Sequence, residues 1–552
     1  MEGAANYMDM ATDMAMAMAM GQTRVRIRVR RRRAEKAGRG IAPSPIALAV
    51  TLVFASAAAQ AQTETESDSV TETPAMSRAL TIVPSLETSL KYTDNGNVAS
   101  NKNGAWIAEV APAISVVRES GGLRGHLNAR LRNVVHLDGS GSDDSFLALQ
   151  GFGEAEAIEK RLFVDVDASI NRNNRSLLQG RSGGDELNTS SASETRVYGI
   201  SPRWLLNFGP DTRGQVLYSS HWMSGGGGFR SRRESKWNAA LSNPRQFGAL
   251  GWGLQYDRSE TENSQAGQGS APRESGRATL FATLTPQFRM RAIGGYEKTE
   301  FTPGKPEDHS IVGGGFDWHP TERTTLSATT ENRFFGRSYD VSFSHRRALS
   351  TWNLSYVRDI TSSFETQGAS VFSDPDFKAL YDALAPFFPD PVQREAVVRS
   401  LLGFPPVGSR DFFVTDVHYL TRKLIATASF IGVRNILTVS LSRNERTRLE
   451  PATGLDTRDE FSRFSTLTSR LASVALSHRL SAESSLNASI TRMRSEGVGT
   501  ASVQTERTMF NVGLSKQLGP KTTGDFTYRF QRATGAADFT ENMIMATLSM
   551  RF

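Results

Sequence analysis

Few side chains in this sequence are of a type and spacing that could perform chemistry. The 552 residues include no cysteine and eight histidines, which excludes disulfides and thiolate nucleophiles and leaves few ligands for a catalytic metal. Neither a His-Glu-x-x-His zinc motif nor a Gly-x-Ser-x-Gly nucleophile elbow occurs. We therefore expect a protein that is not an enzyme and that carries no cofactor.

One serine–histidine pair, Ser477 and His478, is of the type that a hydrolase on a membrane barrel could use. The two residues are adjacent in the chain, and adjacent residues of a strand point to opposite faces. A direct nucleophile–base contact is therefore not expected. His345 and His478 are interpreted as loop or interfacial histidines.

Four charged residues near the end of the chain could line a polar channel: Arg479, Asp525, Arg529 and Arg551. Two hypotheses remain open for them. An excess of arginine would favour anionic or sugar-acid solutes, whereas ion pairs with acidic neighbours on adjacent strands would only stabilise the wall. Both hypotheses require strands that turn these side chains inward.

Strand periodicity runs from about residue 79 to the end of the chain and is clearest in the last segment. There, alternate residues form an apolar face (Ile544, Ala546, Leu548, Met550, Phe552) and a mostly polar face (Met545, Thr547, Ser549, Arg551). A period of two places these sets on opposite sides of a sheet. We predict that one side meets lipid, and that the residues recognised by the barrel-assembly machinery are Ile544, Leu548, Met550 and Phe552.

The connections alternate between short and long. Tight turns are predicted at 119–122, 159–160, 208–212, 243–246, 319–322, 348–350, 431–434, 480–483 and 518–521, and long polar stretches at 93–104, 171–193, 223–234, 259–274, 363–410, 446–463 and 495–505. A transmembrane antiparallel up-and-down β-barrel shows this alternation, with short periplasmic turns and long external loops. Counting by parity predicts an all-β fold of about 22 strands (range 18–24), and a secreted soluble sandwich or β-helix is the alternative.

One segment departs from the strand pattern. Residues 374–403 within the predicted external insertion 371–410 read as two short helices, with Asp374 and Asp390 as N-caps and Gly403 as a C-cap. Their apolar stripes are Phe377, Leu380, Tyr381 and Leu384 on the first helix and Val392, Val397, Leu401 and Leu402 on the second. The insertion could rest on the barrel rim as a cap, or fold into the lumen as a constriction.

The N-terminal segment predicts export. Nine basic side chains against four acidic ones lie in residues 1–61, so that segment holds five of the seven net positive charges of the chain. The apolar stretch 46–59 is too short to span a bilayer, and Ala59 and Ala61 supply the small-x-small pattern of a signal peptidase site. Hence the arginine run is interpreted as a signal-peptide n-region rather than as a nucleic-acid site.

The predicted organisation is a signal peptide at 1–61, a periplasmic linker at 62–79 and a barrel at 80–552. It predicts export by the general secretory route to the cell outer membrane, with outer-membrane lipid and the barrel-assembly machinery as partners and no nucleic acid. A TonB-dependent transporter has a barrel of similar size. Only about 18 residues (62–79) precede the first predicted strand, too few for the plug of that class.

Several motifs, taken in order, resemble PEP-CTERM system-associated outer-membrane β-barrel proteins. They are Thr81–Thr88 with Tyr92–Asn95, Gly295–Glu297, Trp318–Thr324, Phe335–Tyr339, His345–Arg347, Trp352–Tyr356, Arg434–Asn435 and Glu541–Asn542. The similarity extends over about 80–552. The resemblance implies an outer-membrane location near exosortase and exopolysaccharide gene clusters, a role in polysaccharide export as conduit or scaffold, and polysaccharide and export-system proteins as partners. It implies no catalytic residues. A general diffusion porin and an outer-membrane hydrolase are the alternatives.

Overall fold

The computed structural model describes most of the chain after residue 79. The described ranges are 80–118, 122–138, 143–174, 176–178, 192–226, 231–263, 272–302, 305–367, 375–385, 391–402, 413–452, 455, 457, 459–499 and 502–552. The predicted signal peptide with Ala59 and Ala61, and the linker 62–79, lie outside these ranges. In the described ranges, no helix combines the length and apolarity needed to cross a membrane.

Strands make up most of the described chain. They are β1 (Leu80–Thr93), β2 (Ala105–Arg118), β3 (Leu123–His136), β4 (Asp144–Ile158), β5 (Leu162–Asn174), β6 (Ala192–Phe208), β7 (Thr212–Gly225), β8 (Arg232–Phe247), β9 (Leu250–Asn263), β10 (Arg273–Thr285), β11 (Phe288–Thr302), β12 (Lys305–Thr321), β13 (Thr324–Arg333), β14 (Gly336–Arg347), β15 (Ser350–Thr361), β16 (Tyr419–Ile431), β17 (Asn435–Arg448), β18 (Phe464–Arg479), β19 (Ser484–Gly499), β20 (Ser502–Gly519), β21 (Thr522–Gly535) and β22 (Phe539–Arg551). The described residues between β15 and β16 form three helices: α1 (Ser363–Gln367), α2 (Pro375–Ala383) and α3 (Pro391–Leu402).

The strands close into one antiparallel ring. Each strand pairs with its neighbours in the chain, and the last pairs with the first, with Tyr92 opposite Ile544 and Leu90 opposite Ala546. Closure leaves no strand edge with unpaired backbone groups. The predicted up-and-down barrel of 22 strands, with a helical insertion in one loop, is therefore confirmed.

The connections define two ends of the barrel. One end, the short-turn end, has only tight connections; the other, the long-loop end, carries the insertion and the other extended loops. The turn predicted at 243–246 is wrong, because β8 continues to Phe247 and turns at Gly248, whose φ is 71°. A turn at 286–287 was missed, and the long loop predicted at 495–505 is wrong because β19 and β20 are separated by residues 500–501 alone.

The outward face of the strands carries an apolar band. Tyr92 and Ile544, which are directly opposite each other on β1 and β22, are 39% and 45% exposed. Exposed outward aromatics lie towards the short-turn end at Trp204, Phe208, Phe247, Trp318, Trp352 and Phe526, and towards the long-loop end at Trp106, Tyr198, Trp222, Trp237, Tyr256 and Tyr296. Two aromatic girdles flanking an apolar band are the surface that a membrane-spanning barrel presents to lipid.

The inward face of the wall is polar and paired. Lys91 lies 2.5 Å from Glu109, and Arg333 lies 2.8 Å from Glu297, all four side chains being almost fully buried. Arg333 also contacts Asp359 at 2.7 Å. Because buried charges without a partner destabilise a fold strongly, this cross-strand pairing is what allows so many charges to face the interior.

Candidate functional site

The candidate site is the lumen, which the barrel's own loops occupy. Helices α2 and α3 begin at Pro375 and Pro391, where proline is best tolerated because a first-turn N–H has no helical partner. Three residues of the first stripe, Phe377, Leu380 and Leu384, are at most 2% exposed, and Leu401 and Leu402 of the second are at most 5% exposed. The two predicted helices are confirmed, whereas their predicted caps Asp374, Asp390 and Gly403 lie outside the described residues.

The two helices reach from the long-loop end to the short-turn end. Their apolar stripes pack with Ile431, Ile436 and Ala475. Ile431 ends β16 and Ile436 pairs with it in β17, so both flank a tight turn of the short-turn end. The insertion leaves the wall at the opposite end of β15, and therefore the structure favours the constriction over the cap on the rim.

A cleft beside α2 supports the same placement. Asp382 and Ala383 at the end of α2 line this cleft together with Arg347 and Ala348. Ala348 lies in the tight turn between β14 and β15. The tip of α2 thus lies next to the short-turn end of the wall.

Helix α3 contacts the far wall as well. The Arg399 guanidinium lies 3.3 Å from the Gln150 side-chain oxygen on β4 and donates to Glu395 at 2.8 Å. In the ring, β4 lies nine strands from β17, on which α3 also packs. The α2–α3 pair therefore bridges the lumen from one wall to the other, and we call it the inner bridge.

A second bridge crosses nearer the long-loop end. In residues 176–178, the Leu178 carbonyl accepts a hydrogen bond from Thr505 Oγ1 at 2.8 Å, and the Leu178 N–H donates to Glu460 Oε1 at 2.9 Å. Ser176 also donates to Glu460. Residues 176–178 follow β5, whereas Thr505 lies on β20, seven strands away in the ring. This contact is the outer bridge.

The outer bridge has its own apolar core. Leu178 packs in a buried cluster with residues of the β15–β16 and β17–β18 loops and of β16 and β18, namely Phe413, Val417, Tyr419, Phe461, Phe464 and Leu467. Burial raises the pKa of the Glu460 carboxyl, and its hydrogen bonds from Ser176 and the Leu178 backbone only partly offset that effect. Three separate loops therefore close on one another across the mouth.

The first residues of the β15–β16 insertion are fixed to the wall. Glu365 lies 2.7 Å from Lys236 on β8, and the Ser363 hydroxyl donates to the Thr415 carbonyl at 2.9 Å. Burial alone would raise the pKa of Glu365, but the Lys236 charge outweighs it and the pKa is lowered. At the far end of the insertion, the hydrogen bond from His418 likewise outweighs burial and lowers the pKa of Glu450. Both carboxylates thus hold the loop in place in the ionised form.

The four predicted lumen residues face inward but do not form one cluster. Arg529 is 8% exposed and lies 3.3 Å from Glu541, which favours the pairing hypothesis at this position. Asp525 lies opposite Ser515, and Arg551 lies on β22 opposite Ser85. Arg479 lies on β18, three strands from β21, at the short-turn end. The preference for anionic solutes stays a prediction.

The residues of the predicted assembly signal lie on β22 and just beyond it. Ile544 and Phe552 are exposed on the outer surface, and Leu548 and Met550 share the same alternation. The Phe552 N–H donates to the Pro84 carbonyl at 3.0 Å, which ties the end of the chain to β1. Their recognition by an assembly machinery stays a prediction.

The serine–histidine pair has the geometry expected from its spacing. Ser477 is buried on the inward face, whereas His478 Nδ1 contacts Asn435 Oδ1 at 2.5 Å. His345 Nδ1 contacts Thr324 Oγ1 at 2.8 Å. In the part of the chain that the structure describes, no group of three or more His, Asp or Glu side chains could hold a metal ion.

Comparison with known proteins gives a likeness of fold only. No protein-family model and no curated protein matches the chain. Among solved structures, it is similar to the FrpB iron transporter of Neisseria meningitidis (9% identity, 85% of this chain, 81% of that one, TM-score 0.46). A mutant ferric enterobactin receptor PfeA of Pseudomonas aeruginosa (10%, 85% and 80%, TM-score 0.43) and the siderophore receptor PirA of Acinetobacter baumannii (7%, 85% and 80%, TM-score 0.43) are also similar. These values are too low to assign a family or a ligand.

Proposed function

We propose that this chain is an outer-membrane conduit for an extracellular polysaccharide, closed at rest by its own loops. One observation carries the proposal: a closed ring of 22 strands surrounds a polar interior that the inner and outer bridges cross. A ring of this size encloses an aqueous space unless something fills it. Loops that fill it, and that are anchored by a few ion pairs and small apolar clusters, are suited to moving aside.

The membrane location rests on the outer surface. Its apolar band, flanked by aromatic girdles, would be costly in water and favourable in lipid. The predicted signal peptide and the exposed aromatic residue Phe552, directly after β22, support delivery to the outer membrane. The long-loop end then faces the exterior and the short-turn end faces the periplasm.

The proposed role in polysaccharide export rests on the family resemblance of residues 80–552. That family accompanies polysaccharide and exosortase genes, so the proposed cargo is a polysaccharide and the proposed partners are export-system proteins. A general diffusion porin would need an open path through the lumen, and the two bridges count against that alternative. A hydrolase would need a nucleophile beside a base, and Ser477 and His478 lie on opposite faces.

The proposal predicts the phenotype of a strain that lacks the gene. Surface polysaccharide should be lost, and the polymer or its precursors should accumulate on the periplasmic side of the outer membrane. The measurement compares the cell-surface polysaccharide of the deletion strain, of the strain complemented with the intact gene, and of the strain complemented with Ser477→Ala.

Both complemented strains should recover, because the proposed conduit uses no serine nucleophile. Unchanged surface polysaccharide in the deletion strain would overturn the proposed process. Failure of Ser477→Ala alone to complement would instead favour the hydrolase.

A further inference from the structure

The outward surface of β16–β21 carries a basic belt near the long-loop end. Its members are Arg422, Arg443, Arg470, Arg492, Arg494 and Arg532, which we call the arginine belt. All six side chains are exposed, those of four of them by between 43% and 70%. They point away from the lumen, so the proposed conduit does not use them.

Three members of the belt form a row of like charges. Arg470 on β18 lies directly opposite Arg443 on β17 and directly opposite Arg494 on β19. Directly opposite side chains in an antiparallel sheet have Cβ atoms about 4.5–5.5 Å apart, and like charges there destabilise the pairing. An anion between its members would stabilise a row of this kind.

The chain itself supplies too few anions. Glu445 lies 3.2 Å from both Arg422 and Arg443. Glu506 lies 3.2 Å from Arg492 and 3.7 Å from Arg494. No described acidic side chain pairs with Arg470 at the centre of the row.

The belt lies at the border of the apolar band. Outward residues farther towards the short-turn end include Leu441, Val474, Ile490 and Phe510, all at least 39% exposed. Arginines directly above an apolar surface fit an amphiphile whose acyl chains lie on the apolar residues and whose charged head lies on the guanidinium groups.

Strands β9–β12, elsewhere in the ring, show a different arrangement at a similar height. Arg258, Glu274, Lys298 and Asp308 lie directly opposite one another on β9–β12 and alternate in sign. In that row every basic side chain lies directly opposite an acidic one. The unbalanced charge is therefore a property of β16–β21 and not of the whole rim.

We propose that the arginine belt binds the phosphate groups of an anionic glycolipid of the outer leaflet, of the bisphosphorylated lipid A type. Guanidinium groups suit phosphate oxygens because they donate two parallel hydrogen bonds in a fixed plane. Cations at the outer interface of a membrane-spanning wall meet such head groups directly. This inference rests on the outer-membrane placement in the proposed function, but not on the polysaccharide cargo.

The test uses the full chain folded in detergent micelles and bisphosphorylated lipid A as the probe. Native mass spectrometry measures lipid bound to the intact chain, to Arg443→Gln/Arg470→Gln, and to the matched control Arg258→Gln/Lys298→Gln. Both variants remove two positive charges at similar heights on the outer surface. Folding of each is checked by heat-modifiable gel migration, and Arg443→Lys/Arg470→Lys serves as a charge-preserving variant.

The belt variant should bind lipid A at least about tenfold more weakly, because it loses two charge-assisted guanidinium–phosphate contacts. The control should differ little from the intact chain, and the lysine variant should recover part of the affinity. Lipid A stripped of its phosphates should bind every variant equally weakly, and millimolar inorganic phosphate should not compete.

Equal losses in the belt and control variants, or no preference for phosphorylated lipid, would overturn the proposal. Competition by free phosphate would also overturn it, because the site would then recognise a soluble anion. The amount of surface polysaccharide is also measured in cells that carry the belt variant, because it tests the proposed conduit function independently of lipid A binding.

Discussion

Replacing residues 375–402 with a short Gly/Ser linker is expected to open the lumen. The inner bridge would be lost, and with it the contacts of α2 and α3 on Ile431, Ile436 and Gln150. The barrel wall should persist, because its strands pair with one another and not with the helices. Single-channel conductance in planar bilayers should rise on the order of tenfold or more, since barrels of 16 or more strands leave an aqueous lumen when nothing fills them.

The controls for this prediction separate closure from folding. Lys378→Gln changes a side chain of α2 that is 66% exposed, so it should leave the conductance unchanged. Leu380→Asp places a charge in the buried cluster and should open the lumen partly. Because the outer bridge remains, adding Leu178→Gly to the deletion should raise the conductance further. Equal conductance in the deletion and the intact chain would show that the inner bridge does not close the lumen.

Removing Phe552 is expected to reduce insertion into the outer membrane severalfold without changing secretion. Phe552 is 63% exposed on the outer surface, and its N–H donates to the Pro84 carbonyl. Deletion therefore removes both an apolar side chain that faces lipid and one backbone contact between β22 and β1. The measurement is the amount of heat-modifiable, folded protein in the outer-membrane fraction.

Two variants of Phe552 separate the effect of losing the aromatic side chain from the effect of losing the backbone contact. Phe552→Tyr keeps an aromatic ring and the backbone contact and should assemble normally, whereas Phe552→Ala keeps only the backbone contact and should assemble poorly. If Phe552→Ala assembled as well as the intact chain, the aromatic side chain would have no part in assembly.

The strands could be predicted from the sequence because their signal is local. The alternation over Ile544–Phe552 reflects the two faces of one strand, and the same pattern repeated along the chain is enough to count 22 strands. Turn positions were harder to predict. Asn243-Pro244-Arg245 has the composition of a turn, yet β8 continues through it with an irregular register up to Phe247.

The helices of the insertion were predictable for the same local reason, but their position was not. Burial of Phe377 and Leu384 follows from a helical stripe, whereas contact with Ile431 and Ala475 depends on where the loop folds in three dimensions. The outer bridge is the extreme case, since Leu178 and Thr505 are 327 residues apart in the chain. Nothing near either residue in the sequence indicates the other.

For the charged residues of the barrel wall, the sequence predicted the direction of a side chain but not its partner. Periodicity indicated that Arg529 faces inward, but only the neighbouring strand shows that Glu541 pairs with it. The arginine belt was missed because each of its residues lies on a different strand or at a different height. The row of Arg443, Arg470 and Arg494 can be recognised only when the register of the three strands is known.

Cross-linking between the end of α2 and the β14–β15 turn tests whether the external insertion passes through the lumen to the short-turn end. The chain has no cysteine, so Ala383→Cys and Ala348→Cys create one reactive pair in the cleft that both residues line. A bismaleimide cross-linker about 10 Å long should join them in the folded barrel, because the end of α2 lies beside the β14–β15 turn. The directly opposite pair Ser342→Cys and Ser355→Cys should cross-link as the positive control. If the control pair cross-linked efficiently and the Ala383–Ala348 pair did not, the insertion would not reach the short-turn end. An insertion resting on the outer rim would hold Ala383 a membrane thickness away from Ala348.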